Sequence, residues 1–184
     1  GNPTDSYVII NPAYLNPKVS KAAPQFVCVE LRRQTNDDVT LKAFKNFEDL
    51  VRQVNKVLGN PLPENLEEAL TLPNGLKGFS LLAQDVAYML ACNEQIRPDR
   101  AFLFCDFGEI PAEKEVEALR RLLEVNFLLY LGNAPCFMRD SNSNRILFGT
   151  EILFEFATPE NVCEILAKLL EQASEWRKTY FLDE

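Results

Sequence analysis

The stretch from Pro111 to Gly132 constrains this chain more than any other. It reads as one helix with both ends marked. Pro111 suits the first helical position, where its missing N–H would have had no partner. Glu113 and Glu115 fall in the first turn, where the helix dipole favours negative charge. Gly132 suits the left-handed conformation that stops a helix, and Pro135 follows just beyond. At about 100° per residue, Val116, Leu119, Leu123, Phe127 and Tyr130 line one stripe. Ala118, Leu122, Val125 and Leu129 line a second, centred about 150° away. A helix on the outside of a monomer needs one apolar stripe, so a second calls for a second neighbour, either another part of this chain or another copy of it. We expect Ala118, Leu122, Val125 and Leu129 to form a homodimer interface. The two stripes can exchange roles, and burial against the N-terminal residues is the competing expectation.

Charge narrows the partner. A net charge of −8 and a pI near 4.8 argue against nucleic acid, whose phosphates need a basic footprint, and against an anionic membrane surface. Such a surface suits solubility, or a partner segment rich in Lys and Arg. No run approaches the roughly 18 apolar residues of a membrane span, and no signal peptide is visible. Cys28, Cys92, Cys105, Cys136 and Cys163 are scattered, odd in number and without C-x-x-C spacing. They sit mostly in apolar runs, as buried thiols of a reducing cytosol do, so the expected location is cytoplasmic.

Taken in order, the chain reads as an α+β domain with an addition in front. Prolines at 3, 12, 17 and 24 break the first residues into an irregular arm, with a short strand at Tyr7–Ile10. Phe26–Arg32 and Val39–Phe44 alternate as the strands of a hairpin. We therefore divide the chain into residues 1–45, an arm with a hairpin extension, and residues 46–184, the main domain. Asn46 caps a helix with apolar face Phe47, Leu50, Val51, Val54 and Leu58, ended by Gly59 and Pro61. From Gly78 to Phe107 the pattern is a meander, apolar on both faces, so the sheet is covered on both sides or carries an exposed sticky face. After the long helix, Cys136–Arg139 and Arg145–Phe156 flank the loop Asp140–Asn144 as a second hairpin, with Gly149 at a candidate bulge. Thr158, Pro159 and Glu160 then start a last helix, with core stripe Val162, Leu166, Leu169, Ala173 and Trp176. Helix, meander, helix, hairpin, helix describes a twisted antiparallel sheet packed with three main helices.

The residues that chemistry requires are largely absent. With no histidine, the chain lacks the usual general base and the commonest metal ligand, and a Ser-His-Asp or Cys-His site within one chain is impossible. Its 7 glycines form no phosphate-binding loop. Asp106 and Glu109 read as a solvated turn rather than a catalytic pair. Cys136, at a helix-to-strand junction, is the best-placed thiol for an enzyme, but no basic neighbour in sequence activates it. Asp140–Asn144 offers oxygen ligands without the spacing or terminal Glu of a calcium loop. No catalytic residue, cofactor or metal is expected.

Residues 47–178 resemble the class I type III secretion chaperones, the Tir-chaperone (CesT-like) family. The likeness rests on the first helix ending Leu58-Gly59, the meander leading to Pro111, and Leu122-Leu123-Glu-Val-Asn126-Phe-Leu-Leu in the long helix. It extends through the hairpin at Asp140–Arg145 to the final Ala173-Ser-Glu-Trp176-Arg. The resemblance implies a nucleotide-independent homodimer that binds an extended segment of a secreted effector and keeps it soluble and export-competent. The first 45 residues have no counterpart in the usual family pattern, and the meander lacks a glycine-marked first turn. A non-catalytic interaction or regulatory module of the same fold is the alternative. With apolar residues on both strand faces, we expect Phe79, Leu81, Tyr88, Leu90, Phe148 and Ile152 to contact the partner, with acidic residues at the rim.

Overall fold

The computed structural model describes residues 7–9, 44–130 and 135–182. Apart from Tyr7–Ile9 and Phe44, the expected arm and N-terminal hairpin lie outside the described residues, as do Cys28 and Gly132. Strand β1 (Tyr7–Ile9) precedes helix α1 (Phe47–Leu58) and short helix α2 (Leu66–Leu70). The meander is three strands, β2 (Lys77–Ala83), β3 (Val86–Cys92) and β4 (Arg100–Glu109). A 3₁₀ turn (Ala112–Lys114) leads into α3 (Glu115–Leu129), the hairpin β5 (Cys136–Arg139) and β6 (Arg145–Leu153), and α4 (Pro159–Thr179). Among the described residues one six-stranded sheet has the order β1-β2-β3-β4-β6-β5, and every neighbouring pair except β1–β2 is antiparallel. The architecture is the expected α+β one.

Local signals explain the helices. The Asn46 side chain accepts from the Asp49 N–H at 2.9 Å, and Gly59 closes α1 with φ +72°. In α4, Thr158 accepts from the Asn161 N–H at 3.1 Å and Pro159 takes the first turn. The core stripe Val162, Leu166, Leu169, Ala173 and Trp176 is fully buried. The long helix starts later than its proline: Pro111 is extended at ψ 144°, and the chain passes through the 3₁₀ turn before α3. Gly149 is not at a bulge, since it pairs in register with Phe104 and Cys136. A Cβ there would lie 2.6 Å from Met138 Cε and 3.2 Å from the Phe104 ring, so the glycine makes room for two large side chains crossing it. The bulge lies on β4 between Asp106 and Gly108, where Gly108 adopts φ +115°.

Strand parity organises the core. Phe79 pairs with Leu90 and Leu81 with Tyr88, while Tyr88 pairs with Cys105, Cys105 with Phe148 and Ala101 with Ile152. Opposed residues point to the same face, and these buried residues form one hydrophobic core with the apolar faces of α1 and α4. Tyr88 donates its hydroxyl to the Leu166 carbonyl at 2.7 Å, and Trp176 meets the Phe107 ring edge-on at 5.9 Å.

Arg177 secures the end of α4. Its guanidinium donates to the carbonyls of Phe107 at 2.7 Å, Asp106 at 3.2 Å and Asp85 at 3.3 Å, and pairs with the Asp85 carboxylate at 3.0 Å. It thereby grips the bulge and the β2–β3 turn together. That turn has no glycine because Gln84 takes the left-handed conformation itself, at φ +56°. A lysine cannot reproduce a planar fork with several fixed donors. Arg177→Lys should lower stability by about 1.5–3 kcal/mol in urea unfolding, the usual worth of charge-assisted bonds. A change under about 0.5 kcal/mol, the size of an ordinary surface effect, would show that the clasp carries no weight.

Candidate protein-binding surfaces

The long helix uses its two stripes differently. Ala118, Leu122, Val125 and Leu129 are buried, at most 4% exposed. The expected dimer stripe is therefore occupied inside the chain and presents no surface to a second copy. The opposite stripe is open except at Leu119, which packs half-buried against the core: Leu123 is 69%, Phe127 81% and Tyr130 76% exposed, and Val116 is exposed beside them. Leu123, Phe127 and Leu128 line a shallow groove with Arg121 and Glu124.

Asn126 decides the orientation. Its side-chain amide donates to the Phe137 carbonyl at 3.0 Å and accepts from the Phe137 N–H at 2.7 Å. The amide thus takes the place of a neighbouring strand on β5, which ends the sheet. Arg121 adds a bond from Nε to the Phe181 carbonyl at 3.1 Å. The sequence signal for this arrangement was a lone asparagine between two leucine-rich segments, and periodicity alone gives it no role.

The second surface is the sheet face turned away from α1 and α4. Phe79, Leu81, Tyr88, Leu90, Phe148 and Ile152, the residues expected to touch a partner, are all on the core face and at most 9% exposed. The alternate residues of the same strands form the outer face. Met89 is exposed there, and Leu82, Ala87, Ala91, Phe102, Phe104, Met138 and Leu147 are half-buried. Paired charges bracket this apolar strip along β4. At one end Arg100 bonds Glu151 at 2.8 Å. At the other end Arg145 bonds Asp106 at 2.7 Å. The rim carries both signs, and these acids are neutralised by their partners.

The polar groups that could have carried chemistry are engaged in structure. Asp106 accepts from the Gly108 N–H at 2.9 Å as well as from Arg145, which makes it part of the bulge. Asp140 accepts from the Asn142 N–H at 2.9 Å and from Ser143 Oγ at 3.1 Å. These bonds hold its carboxyl below the usual range and tie the loop as a hairpin turn. Burial pushes the thiols upward: Cys92 to about 11, Cys163 to about 12, and Cys105 well above its ordinary value. Cys136 is also raised by burial. Among the described residues no cluster of acidic or sulfur ligands suits a metal ion, and no helix is long and apolar enough to cross a membrane.

A helix–meander–helix–hairpin–helix fold whose open surfaces are apolar defines a protein that binds other polypeptides. Residues 67–177 match the model of the Tir chaperone protein (CesT) family. The chain belongs to that family, and is a non-catalytic chaperone. Two solved structures share its fold. A chain of the ExsC–ExsE complex has a TM-score of 0.53 and 20% identity, covering 72% of this chain and 92% of its own length. A chain of the HopA1–SchA chaperone–effector complex has a TM-score of 0.52 and 19% identity, covering 72% of this chain and 94% of its own. No match was found among curated proteins.

The raised thiol at Cys136 sets a kinetic expectation. With its acid–base midpoint above the ordinary value, the thiolate fraction near neutrality falls below that of free cysteine, so alkylation should be slower. Peptide-resolved iodoacetamide labelling at pH 7.5 should show this, with the rate rising as pH increases. Labelling at Cys136 faster than free cysteine would revive a reactive-thiol role.

Proposed function

We propose that two copies of the chain pair through the exposed stripe of α3, Val116, Leu123, Phe127 and Tyr130, and that the outer sheet face holds an extended segment of a secreted effector. The binding reading rests above all on the apolar strip from Met89 to Phe104 and Leu147, open on one side and bracketed by paired charges. A strip of pleated surface offers pockets at every second residue, which suits a chain lying extended across it. The HopA1–SchA structure, a chaperone bound to an effector, supports this choice of partner through its similar fold. Apolar contact supplies the affinity, and the net charge of −8 speeds encounter with a basic segment. The effector is held in the cytoplasm without nucleotide.

The dimer reading rests on aromatic exposure. Large apolar residues such as Leu123 and Phe127 standing together on one helix, with Tyr130 just past its end, mark an interaction surface, and a helix face that meets its own copy is the self-complementary arrangement of a two-fold dimer. Leu123→Asp with Phe127→Asp should leave a folded monomer in sedimentation velocity at micromolar concentration. Leu122→Asp with Val125→Asp should instead unfold the chain, because it buries unpaired charge. A parent protein that already sediments as a monomer would end the dimer reading.

The effector reading is tested separately. Tagged protein from the secreting cell should co-purify with a secreted protein bound through its N-terminal region. Met89→Asp with Phe104→Asp should reduce that capture at least tenfold while leaving the thermal midpoint within a few degrees. Undiminished capture would remove the outer face from the binding site. Capture of a non-secreted regulator instead would favour the interaction-module alternative.

A further inference from the structure

The sequence contains two methionines, and both belong to the outer face of the sheet. Met89 lies within that face, opposite Ser80 on β2 and Phe104 on β4, and is 36% exposed. Met138 is half-buried on β5, its terminal methyl lying over Gly149 beside the Phe104 ring. The two thioethers thus share one apolar surface with unequal access to water. Ser80 sets Met89 further apart. It is only 8% exposed, and among the described residues its hydroxyl donates to Met89 Sδ, at 3.6 Å. A thioether is a weak acceptor, whereas a buried hydroxyl ordinarily meets a stronger one. A poorly satisfied donor is therefore held against the sulfur of an exposed side chain.

We propose that Met89 is an oxidation site for hydroperoxides, and that its conversion to the sulfoxide closes the outer face to apolar chains while the sheet stays folded. The consequence rests on the outer-face binding reading above; the chemistry does not. The sulfur gives a lone pair to the terminal oxygen of the hydroperoxide and the O–O bond breaks. The proton of that oxygen passes to the departing oxygen, which leaves as water or an alcohol. Sulfur loses two electrons and the peroxide gains them. The product sets a polar group in place of an apolar one between Ser80 and Phe104. Its new oxygen is a strong acceptor beside the Ser80 hydroxyl, so the oxidised side chain finds a donor already in place. Tyr88 and Leu90, on the other side of β3, keep their core contacts. A segment lying across the face covers Met89, so the unoccupied protein is the form that oxidises.

The test treats the full chain with hydrogen peroxide and follows each methionine by peptide-resolved mass spectrometry. Met89 should gain its oxygen at least threefold faster than Met138, with the thermal midpoint held within a few degrees. The apolar dye Nile red then probes the face, and its affinity should fall at least threefold as Met89 oxidises. Met89→Leu keeps an apolar side chain without an oxidisable sulfur, so its dye affinity before and after peroxide should agree. Met89→Gln, a polar mimic of the sulfoxide, should show the lowered affinity with no peroxide added. Equal oxidation of the two methionines, or dye affinity unchanged once Met89 is fully oxidised, would overturn the proposal. So would an equal loss of dye in Met89→Leu. Neither readout uses the effector, so failed effector capture leaves these results intact, and their failure leaves effector capture standing.

Discussion

The bond from the Tyr88 hydroxyl to the Leu166 carbonyl, 2.7 Å across the core, marks the constraint on which this molecule depends. It places one face of β3 beneath α4. Because side chains alternate along a strand and opposed residues share a face, that placement propagates through the register to every other strand. Phe79 and Leu81 on β2, Leu103 and Cys105 on β4, and Phe148 on β6 all follow Tyr88 inside. Met89, Phe102, Phe104 and Leu147 are assigned to the other side by the same rule. A shift of one residue in any pairing would exchange the two sets and bury the surface that now remains open.

A second decision is made at the far edge. β5 would end the sheet with unpaired backbone groups, and Asn126 satisfies both the donor and the acceptor of Phe137. The helix that carries Asn126 is thereby turned so that Leu122 and Val125 enter the core while Leu123 and Phe127 face outward. Edge protection and the exposure of an apolar helix face are thus consequences of one side chain. The opposite edge is treated differently, with a strand from before α1 laid along β2. One edge is closed by a fixed amide and the other by a tethered segment.

The absence of histidine and the raised thiols give the polar residues a structural assignment. Asp106 and Gly108 build the bulge that Arg177 grips, and Asp140 ties a hairpin turn. The half-buried outer face combines side chains already desolvated on one side with others, such as Met89, that still meet water. In the binding proposed for this face, a bound chain gains by covering the remainder, without first unfolding any part of the core.

The local pattern by itself determined the order of elements, because caps, prolines and periodicity act over a few residues. Asn46 with Gly59, Thr158 with Pro159, and the stripe ending at Trp176 were legible in that way, as was the hairpin at Asp140–Asn144. Two choices were not. The strands are apolar on both faces and α3 has two stripes, so alternation specified the elements without ranking their sides. Tertiary structure made the ranking, through a hydroxyl reaching Leu166 and an amide reaching Phe137, across 78 and 11 residues of sequence respectively. Phe79, Leu81, Tyr88, Leu90, Phe148 and Ile152 went inside with Ala118, Leu122, Val125 and Leu129, and their neighbours became the surface. Side selection is a property of what packs against an element, and no local pattern contains that partner.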